Sequence, residues 1–300
     1  MPELPEVELY SRYFAEHALH RRIARVHVRD ERILGATRKD AFVARLQGRE
    51  FTRVRRHGKH FFAYVGQAIL PVLGSSSPPP SGQAGLPVPP LGQARLPGPP
   101  SGQAGLPVLH LHFGMTGDLA AYRDVAEEPR FAKIVFDFED GSHLAFEDVR
   151  LFGVAELVDD PDLFIAEHRL GRDPLDPSFT LKVFRELVAK RRGAIKAVLM
   201  SQELVAGLGN LWVDETLFQT GIKPRRATDK LREDEVKAVF MTMRKIVREV
   251  IERKSRGLEP PPRYLLWRRE IGEQCPRCGG TIRRSTVFGR TTYSCATHQR

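Results

Sequence analysis

Cysteine is almost absent from this chain of 300 residues, and the little there is sits at one end. Cys275, Cys278 and Cys295 are odd in number, so they fit no closed set of disulfides; they point to a reducing compartment and to thiols with another task. Long apolar runs are missing as well. No stretch approaches the roughly 20 residues a membrane helix needs, and the N-terminus has no basic segment leading into an apolar one. These absences predict a soluble, intracellular protein with no membrane partner, placed in the cytoplasm or, in a bacterium, on the nucleoid. The third shortage is of negative charge: 37 Asp and Glu stand against 47 Lys and Arg, a formal net charge of +10 that favours a polyanion such as nucleic acid. Beyond Pro260 the imbalance is steepest, with eight arginines against Glu270 and Glu273.

What is present begins at the first residues, Met1-Pro2-Glu3-Leu4-Pro5-Glu6-Val7-Glu8. Removal of Met1, which a small Pro2 permits, would leave a secondary amine titrating near the α-amino range of roughly 7.7–8.0. A useful fraction is then neutral at physiological pH and able to attack an electrophilic carbon, while the carboxylate of Glu3 can move the protons that iminium formation requires. Pro5 suits a first helical turn, Glu6 and Glu8 suit the positive end of the helix dipole, and Val7, Tyr10 and Phe14 share one face. The plain alternative is a frayed tail before an ordinary amphipathic helix.

The segments Ile23–Val28, Glu50–Val54, His60–Val65, Val108–Phe113, Ala132–Phe138, His143–Phe146 and Ala155–Val158 read as strands, several with apolar alternation. From Thr180 the pattern becomes helical: Leu181–Arg191, Ala194–Met200, Leu211–Gln219 stopped by Gly221, and a long basic amphipathic helix from Glu233 to about Lys254. Between Tyr64 and His110 the motif Gly-Gln-Ala-x-Leu-Pro recurs at a ten-residue period, in a Pro/Gly/Ser composition that cannot build a core; this reads as a disordered insert or, alternatively, a docking segment. The division expected is a β-rich domain over 1–158 with the insert at 66–108, a helical domain over 159–258 and a small module over 259–300. That module has too few apolar residues to fold without a staple.

Cys275-Pro-Arg-Cys278 and Cys295-Ala-Thr-His298 are two ligand pairs flanking a hairpin-like stretch, Thr281–Thr292, and together form a zinc-ribbon pattern: Zn²⁺ accepts three thiolates and an imidazole. Such a site could fold the module outright. Arg290, late in the hairpin, is placed to meet a phosphate or is a solvated arginine. Gly207-Leu208-Gly209-Asn210 lies between helices, where its backbone N–H groups and the Asn side chain could hold a phosphate, or where it is only a turn. Met115 in His112-Phe-Gly-Met-Thr-Gly117, with Arg150 and Phe152 in Arg150-Leu-Phe-Gly153, reads as turn plus core packing or as a wedge that fills the gap left by an extruded nucleotide. Lys59 is a surface lysine or part of a phosphate-binding cluster.

Taken in order, Pro2-Glu3-Leu4-Pro5-Glu6, Lys59, the Met115 and Arg150/Phe152 motifs, Gly207–Asn210 and the terminal zinc ribbon resemble the formamidopyrimidine-DNA glycosylase/endonuclease VIII family. Leu4, Met115 and Arg150/Phe152 look more like its formamidopyrimidine branch. The resemblance implies an α+β protein: an N-terminal β-sandwich carrying the N-terminal helix, a helix-two-turn-helix domain and a zinc-finger β-hairpin, with damaged double-stranded DNA in the cleft between, bound by a monomer. It implies a bifunctional glycosylase and abasic-site lyase of base excision repair, in which Pro2 attacks C1′ and β,δ-elimination cuts the strand. Glu3 is then the acid/base, Lys59, Asn210 and Arg290 grip phosphates, Met115, Arg150 and Phe152 fill the void, and one structural Zn²⁺ sits on Cys275, Cys278, Cys295 and His298.

The chain departs from the family pattern in two places. His298 stands where cysteine is common, and residues 254–262 lack the Gly-Gly-Ser/Thr stretch of the loop that covers 8-oxoguanine in bacterial relatives. Ring-opened formamidopyrimidines, oxidised pyrimidines and abasic sites are therefore expected as substrates at least as much as 8-oxoguanine. Rival readings are a non-catalytic damaged-DNA-binding protein on the same scaffold and a zinc-ribbon RNA-binding factor. Neither would need the N-terminal imine chemistry.

Overall fold

The computed structural model describes residues 2–67 and 105–300; most of the repeat insert, with the disorder or docking role expected of it, lies outside the described residues. Helix α1 (Leu4–Ala18) forms where Pro5 and the apolar face place it, and Val7 and Phe14 are buried. There follow β1 (Ile23–Val28), α2 (Lys39–Leu46), β2 (Arg49–His57), β3 (His60–Gln67), β4 (Val108–His112), β5 (Gly117–Tyr122), β6 (Ala132–Phe138), β7 (His143–Asp148) and β8 (Val154–Val158). These strands make two antiparallel four-stranded sheets, in the orders β1-β6-β7-β5 and β2-β3-β4-β8, and so a β-sandwich. Gly66 and Gln67 pair with Glu50 and Arg49, and Val108 pairs with Tyr64 and Val158, so both ends of the expected 66–108 insert belong to the sheet.

Aromatic side chains fill the space between the sheets. Phe14 meets Phe51 and Phe61 with ring centroids 5.0 and 4.8 Å apart, and Phe51 stands edge-on to Phe136 at 5.5 Å. Such contacts add about 0.5–1.5 kcal/mol per pair beyond the area they bury. The short elements α2 and β5 escape sequence reading. Only Phe42 and Leu46 of α2 are buried, and β5, with two adjacent alanines, lacks clear alternation; it is a strand because it pairs with β7 and because Ala121 N–H donates to the Tyr13 hydroxyl at 2.9 Å.

Beyond the sandwich run α3 (Pro161–Glu167), α4 (Leu181–Ala189), α5 (Ile195–Met200), α6 (Asn210–Thr220) and α7 (Glu233–Ser255). Helix α3 packs Phe164 on Phe62 and Val108 of the sandwich, so the boundary expected at 158 falls inside one packed unit. The other helices enclose Phe179, Phe184, Trp212, Phe240 and the buried face of α7, and Leu4 of α1 joins them. Helix α1 thus stands in two cores at once. Its Val7, Phe14 and Ala18 belong to the sandwich, and its first residue to the helices. The chain's N-terminus is held at the seam between the two for that reason. Last comes the hairpin of β9 (Ile282–Val287) and β10 (Arg290–Cys295), which rests on a small cluster of Phe218, Leu265, Ile282 and two cysteines.

Candidate active site

Pro2 is half-buried at the head of α1, and Glu3 beside it is 3% exposed. The Glu3 side chain crosses the seam to the start of α6. Its Oε2 accepts from the N–H groups of Gly209 at 2.8 Å and Trp212 at 3.3 Å, and its Oε1 from Leu211 at 3.0 Å. The Gly207–Asn210 turn therefore binds an anion at a helix N-terminus, as its sequence suggests, but the anion is the protein's own carboxylate and not a phosphate. Unpaired donors and the positive end of the helix dipole accept any carboxylate within reach, and α1 delivers one. The two glycines make room for it: a Cβ at Gly209 would lie 2.3 Å from Glu3 Oε1, and Gly207, at φ +100°, would place one 2.8 Å from Leu4 Cβ.

Burial pushes the Glu3 carboxyl above the usual range, against the pull of the Lys59 ammonium and of the Leu211 and Trp212 N–H groups. A carboxyl tuned upward is suited to trade protons near neutrality. Glu6 completes the anchoring. Its Oε2 accepts from the Glu3 N–H at 3.1 Å, and its Oε1 pairs with Lys254 of α7 at 2.8 Å.

Lys59 lies in the tight turn between β2 and β3, whose flanking residues His57 and His60 pair across it. Its ammonium has no ion-pair or hydrogen-bond partner among the described residues, and burial lowers its hold on the proton, with Glu3 opposing and Arg290 reinforcing. Sequence reasoning missed what positions it. Arg56 is buried and donates to Asp173 at 2.5 and 3.2 Å and to Glu8 at 2.9 Å, while Asp173 accepts from the Gly58 N–H at 2.7 Å. Nothing in the local sequence marks this network, because its members come from β2, α1 and the connection after α3.

The loops that carry Met115 and Arg150/Phe152 lie side by side, with the Arg150 N–H 3.2 Å from Thr116 Oγ1. Met115 is 42% exposed and Phe152 53%, and the Arg150 guanidinium lies 4.9 Å from the centre of the Phe152 ring. Their two loops are sewn together by the fully buried Asp148, which accepts from Thr116 Oγ1 at 2.5 Å, Arg150 N–H at 3.1 Å and Gly153 N–H at 2.6 Å. Asp148 also escaped sequence reading, although its place two residues before Arg150 was a signal. Under the loop that carries Met115, the Gly114 N–H donates to His112 Nδ1 at 3.2 Å, the His112 ring lies tilted against His60 at 5.1 Å, and His60 Nδ1 shares a hydrogen bond with His110 Nε2 at 3.0 Å.

Asn210 and Arg290 meet at the hairpin. Asn210 Nδ2 donates to the Thr291 carbonyl at 2.8 Å, so the amide clamps β10, and its Oδ1 is buried without a partner. Beneath, Lys196 and Asp214 form a fully buried pair at 2.6 Å, extended by Thr292 Oγ1 at 2.7 Å from Lys196 and by Arg269 at 3.0 Å from Asp214. Arg290 is exposed at the start of β10 with no salt bridge among the described residues.

The sulfur atoms of Cys275, Cys278 and Cys295 all lie within 4.8 Å of one another, with Cys278 and Cys295 3.6 Å apart. Thiolates on one metal at about 2.3 Å would be separated by a little under 4 Å, so the arrangement fits a tetrahedral ion. His298 stands outside this group, contrary to the expected ligand set: its Nε2 donates to the Phe218 carbonyl at 2.6 Å and its ring packs on Phe218. That bond uses Nε2 and leaves Nδ1 as the ring nitrogen open to a metal.

A catalytic-type pairing of N-terminal Pro and Glu, a lysine, an exposed wedge and a three-cysteine hairpin on this two-core scaffold defines a class of DNA-processing proteins, and comparison with known proteins agrees. The model of the formamidopyrimidine-DNA glycosylase N-terminal domain matches residues 1–155, and that of the formamidopyrimidine-DNA glycosylase H2TH domain matches residues 170–260. Among curated proteins, the formamidopyrimidine-DNA glycosylase of Symbiobacterium thermophilum is 31% identical, over 98% of this chain and 88% of its own. That of Streptococcus pneumoniae is 27% identical over 100% of this chain and 99% of its own. The Lactococcus lactis formamidopyrimidine-DNA glycosylase bound to DNA containing an abasic site has the same fold, with a TM-score of 0.76 at 24% identity over 99% of both chains. A MutM complex with DNA containing carbocyclic 8-oxoguanine gives 0.77 at 24% identity over 100% of both. The chain belongs to the formamidopyrimidine-DNA glycosylase family.

Proposed function

We propose that this protein is a base excision repair enzyme that removes oxidised bases from double-stranded DNA and cuts the strand at the abasic site. The observation that carries this reading is the placement of Glu3: a buried carboxyl, raised in its hold on a proton, beside Pro2 and facing an unpaired Lys59. With Met1 removed, the Pro2 nitrogen attacks C1′ of the damaged nucleotide and the C1′–base bond breaks as a proton reaches the leaving base; the Pro2 nitrogen then gives up its proton, O4′ takes one, and the C1′–O4′ bond opens to leave an iminium between Pro2 and C1′. The resulting iminium draws electron density from C2′ and makes its proton removable, which starts the elimination that breaks the strand. Glu3 moves protons in both halves. Lys59 and Arg290, cations near one another with no ion pair among the described residues, hold a phosphate between them. Asn210 joins this grip from the hairpin side: one N–H of its amide holds the Thr291 carbonyl, and the second is a donor for a phosphate oxygen. Met115, Arg150 and Phe152 occupy the space vacated by the extruded nucleotide.

Within residues 254–262, positions 255–259 are exposed, and the segment is anchored at positions 259–261. Arg253 donates to the Glu259 carbonyl at 2.7 Å, and the Trp267 indole N–H to the Pro260 and Pro261 carbonyls at 3.2 and 3.1 Å. A segment held this way favours lesions that need no covering loop, including ring-opened purines, oxidised pyrimidines and abasic sites. The protein acts as a monomer in the cytoplasm, where the thiols stay reduced.

Borohydride trapping tests the chemistry, because reduction of the iminium leaves a covalent protein–DNA adduct. Replacing Pro2 with Gly, or separately retaining Met1, should each remove most of the adduct on abasic-site DNA while duplex binding persists. Undiminished trapping by the Met1-blocked protein would refute Pro2 as nucleophile. A non-catalytic binder would give no adduct from the parent chain.

Zinc is the metal this donor set fits, bound by Cys275, Cys278 and Cys295 as a structural cross-link, with His298 as fourth ligand through Nδ1 while Nε2 keeps the Phe218 carbonyl. Metal analysis should return one zinc per chain. Cys275→Ser should lose it together with DNA affinity, and His298→Ala should retain it more weakly; a metal-free protein with full activity would overturn the site.

A further inference from the structure

The tip of the terminal hairpin breaks two local rules at once. Val287 pairs with Arg290, leaving Phe288 and Gly289 as a two-residue loop with φ of +51° and +67°. Left-handed backbone at both positions is the type I′ geometry, whose first position favours Asn, Asp or Gly and disfavours a bulky side chain. Phe288 is also 70% exposed, and its ring touches no other ring or cation among the described residues. A turn selected for folding alone would carry Asn here, and conflicts of this kind concentrate where function overrides local preference.

The surroundings of the tip indicate what the ring meets. The root of β10 is fixed to α5 and α6 by Lys196 and Asn210, so the tip is rigidly aimed. Arg290 adjoins the loop, and Asn210, which holds the Thr291 carbonyl next to it, stands between Gly209 and Leu211, whose N–H groups hold Glu3, so the tip that carries Phe288 lies at the margin of the catalytic site. Arg283 and Arg284 are exposed on the partner strand. An aromatic ring among arginines at the edge of a DNA cleft is the composition of a stacking platform. In an intact duplex the grooves present only base edges, so a flat ring has a face to stack on only where a nucleotide has left the stack.

We infer that Phe288 stacks on a nucleobase exposed beside the extruded nucleotide, acting as a fourth gap-recognising side chain that approaches from the zinc hairpin, apart from the Met115/Arg150/Phe152 cluster. It is a positioning and specificity residue for the reaction, and it rests on the assignment of the cleft as the DNA site.

Phe288→Asn gives a discriminating test, because Asn suits the type I′ turn better than Phe and removes the ring without harming the hairpin. The full-length parent, F288N and F288W are titrated at one salt concentration with a duplex containing a tetrahydrofuran abasic analogue and with the intact duplex of the same sequence. F288N should melt no lower than the parent. Its affinity for the abasic duplex should fall roughly tenfold or more, as expected for losing one base–aromatic stack, with binding to intact duplex unchanged and the loss restored in F288W. Parent-like binding by F288N, or an equal loss on both duplexes, would overturn the inference while leaving the cleft assignment intact. A parent that fails to prefer the abasic duplex would overturn both.

Discussion

Two sets of side chains in this molecule are built on opposite terms. Around Glu3 the chain buries charge and satisfies it: carboxylates meet backbone N–H groups, Arg56 and Lys254, and glycines clear space for them. Elsewhere it does the reverse and exposes large apolar side chains, Met115 and Phe152 on two adjoining loops and Phe288 at the hairpin tip. Burial fixes atoms to within tenths of an ångström, as proton transfer and nucleophilic attack need. Exposure costs hydration of apolar surface in the free protein, and that cost is recovered only when a partner covers it. On the proposed function, the first set is organised for chemistry and the second for a DNA conformation that exists only while the substrate is bound.

The contrast is broken most severely at Arg56. Arg56→Ala leaves Asp173 buried without its guanidinium and unties Lys59 from the seam, and removing one partner of a buried pair costs about 3–5 kcal/mol. Chemical denaturation should show that loss, and borohydride trapping should fall with it. A variant as stable as the parent would mean that the network is ornamental.

A smaller effect, and of the opposite kind, is expected in the exposed set. Met115→Ala and Phe152→Ala remove surface that touches no core, so the melting temperature should stay within about 2 °C of the parent. Excision from damaged duplex should slow by about tenfold for each, while cleavage of a preformed abasic site, which needs no base extrusion, suffers less. If either substitution lowers stability as Arg56→Ala does, the distinction between the two sets fails.

The smallest effect is in pH dependence, at the histidines beneath the wedge. Burial holds His60 down to about 2 and His112 down to about 4, with neighbouring histidines adding to the effect. Between the unfolded value near 6.5 and these folded values the unfolded chain binds more protons, so stability falls as pH falls, by at most about 1.4 kcal/mol per unit for each histidine. Above pH 6.5 neither contributes. Glu215, pushed up to about 7 by burial, acts in the opposite sense: its folded form keeps a proton that the unfolded chain releases. The parent curve is therefore a balance, and His112→Asn isolates one side. Melting temperatures at pH 7, 5.5 and 4.5 should fall less steeply in the variant, whose amide oxygen can still accept from the Gly114 N–H. An unchanged slope would remove His112 from the account.

Much of this was legible from residues alone. The strands Ile23–Val28 and Ala132–Phe138 and the long basic helix reveal themselves by periodicity, which records which face is buried. The pairing of Pro2 with Glu3 and the spacing of the cysteines are local chemistry, readable because ligands or reacting groups close in sequence must also be close in space. Other features were not local. The partner of Glu3 lies more than two hundred positions away in Gly209, Leu211 and Trp212, and that of Arg56 at Asp173. His298 has the spacing of a ligand, but its hydrogen bond to the Phe218 carbonyl, eighty positions away, is invisible in the local pattern.

The sequence by itself determined the kinds of chemistry available: a secondary amine beside a carboxyl, an excess of cations, three thiols able to share a metal, and two sheets' worth of alternating strands. Only the tertiary structure decided which anion the Gly207–Asn210 turn would hold, which lysine would lack a partner, and which apolar side chains would remain in water. The reason is physical. Backbone preference and side-chain reactivity belong to a residue and its neighbours in the chain, whereas burial, ion pairing and the competition for hydrogen-bond donors depend on which distant segments the cores bring together.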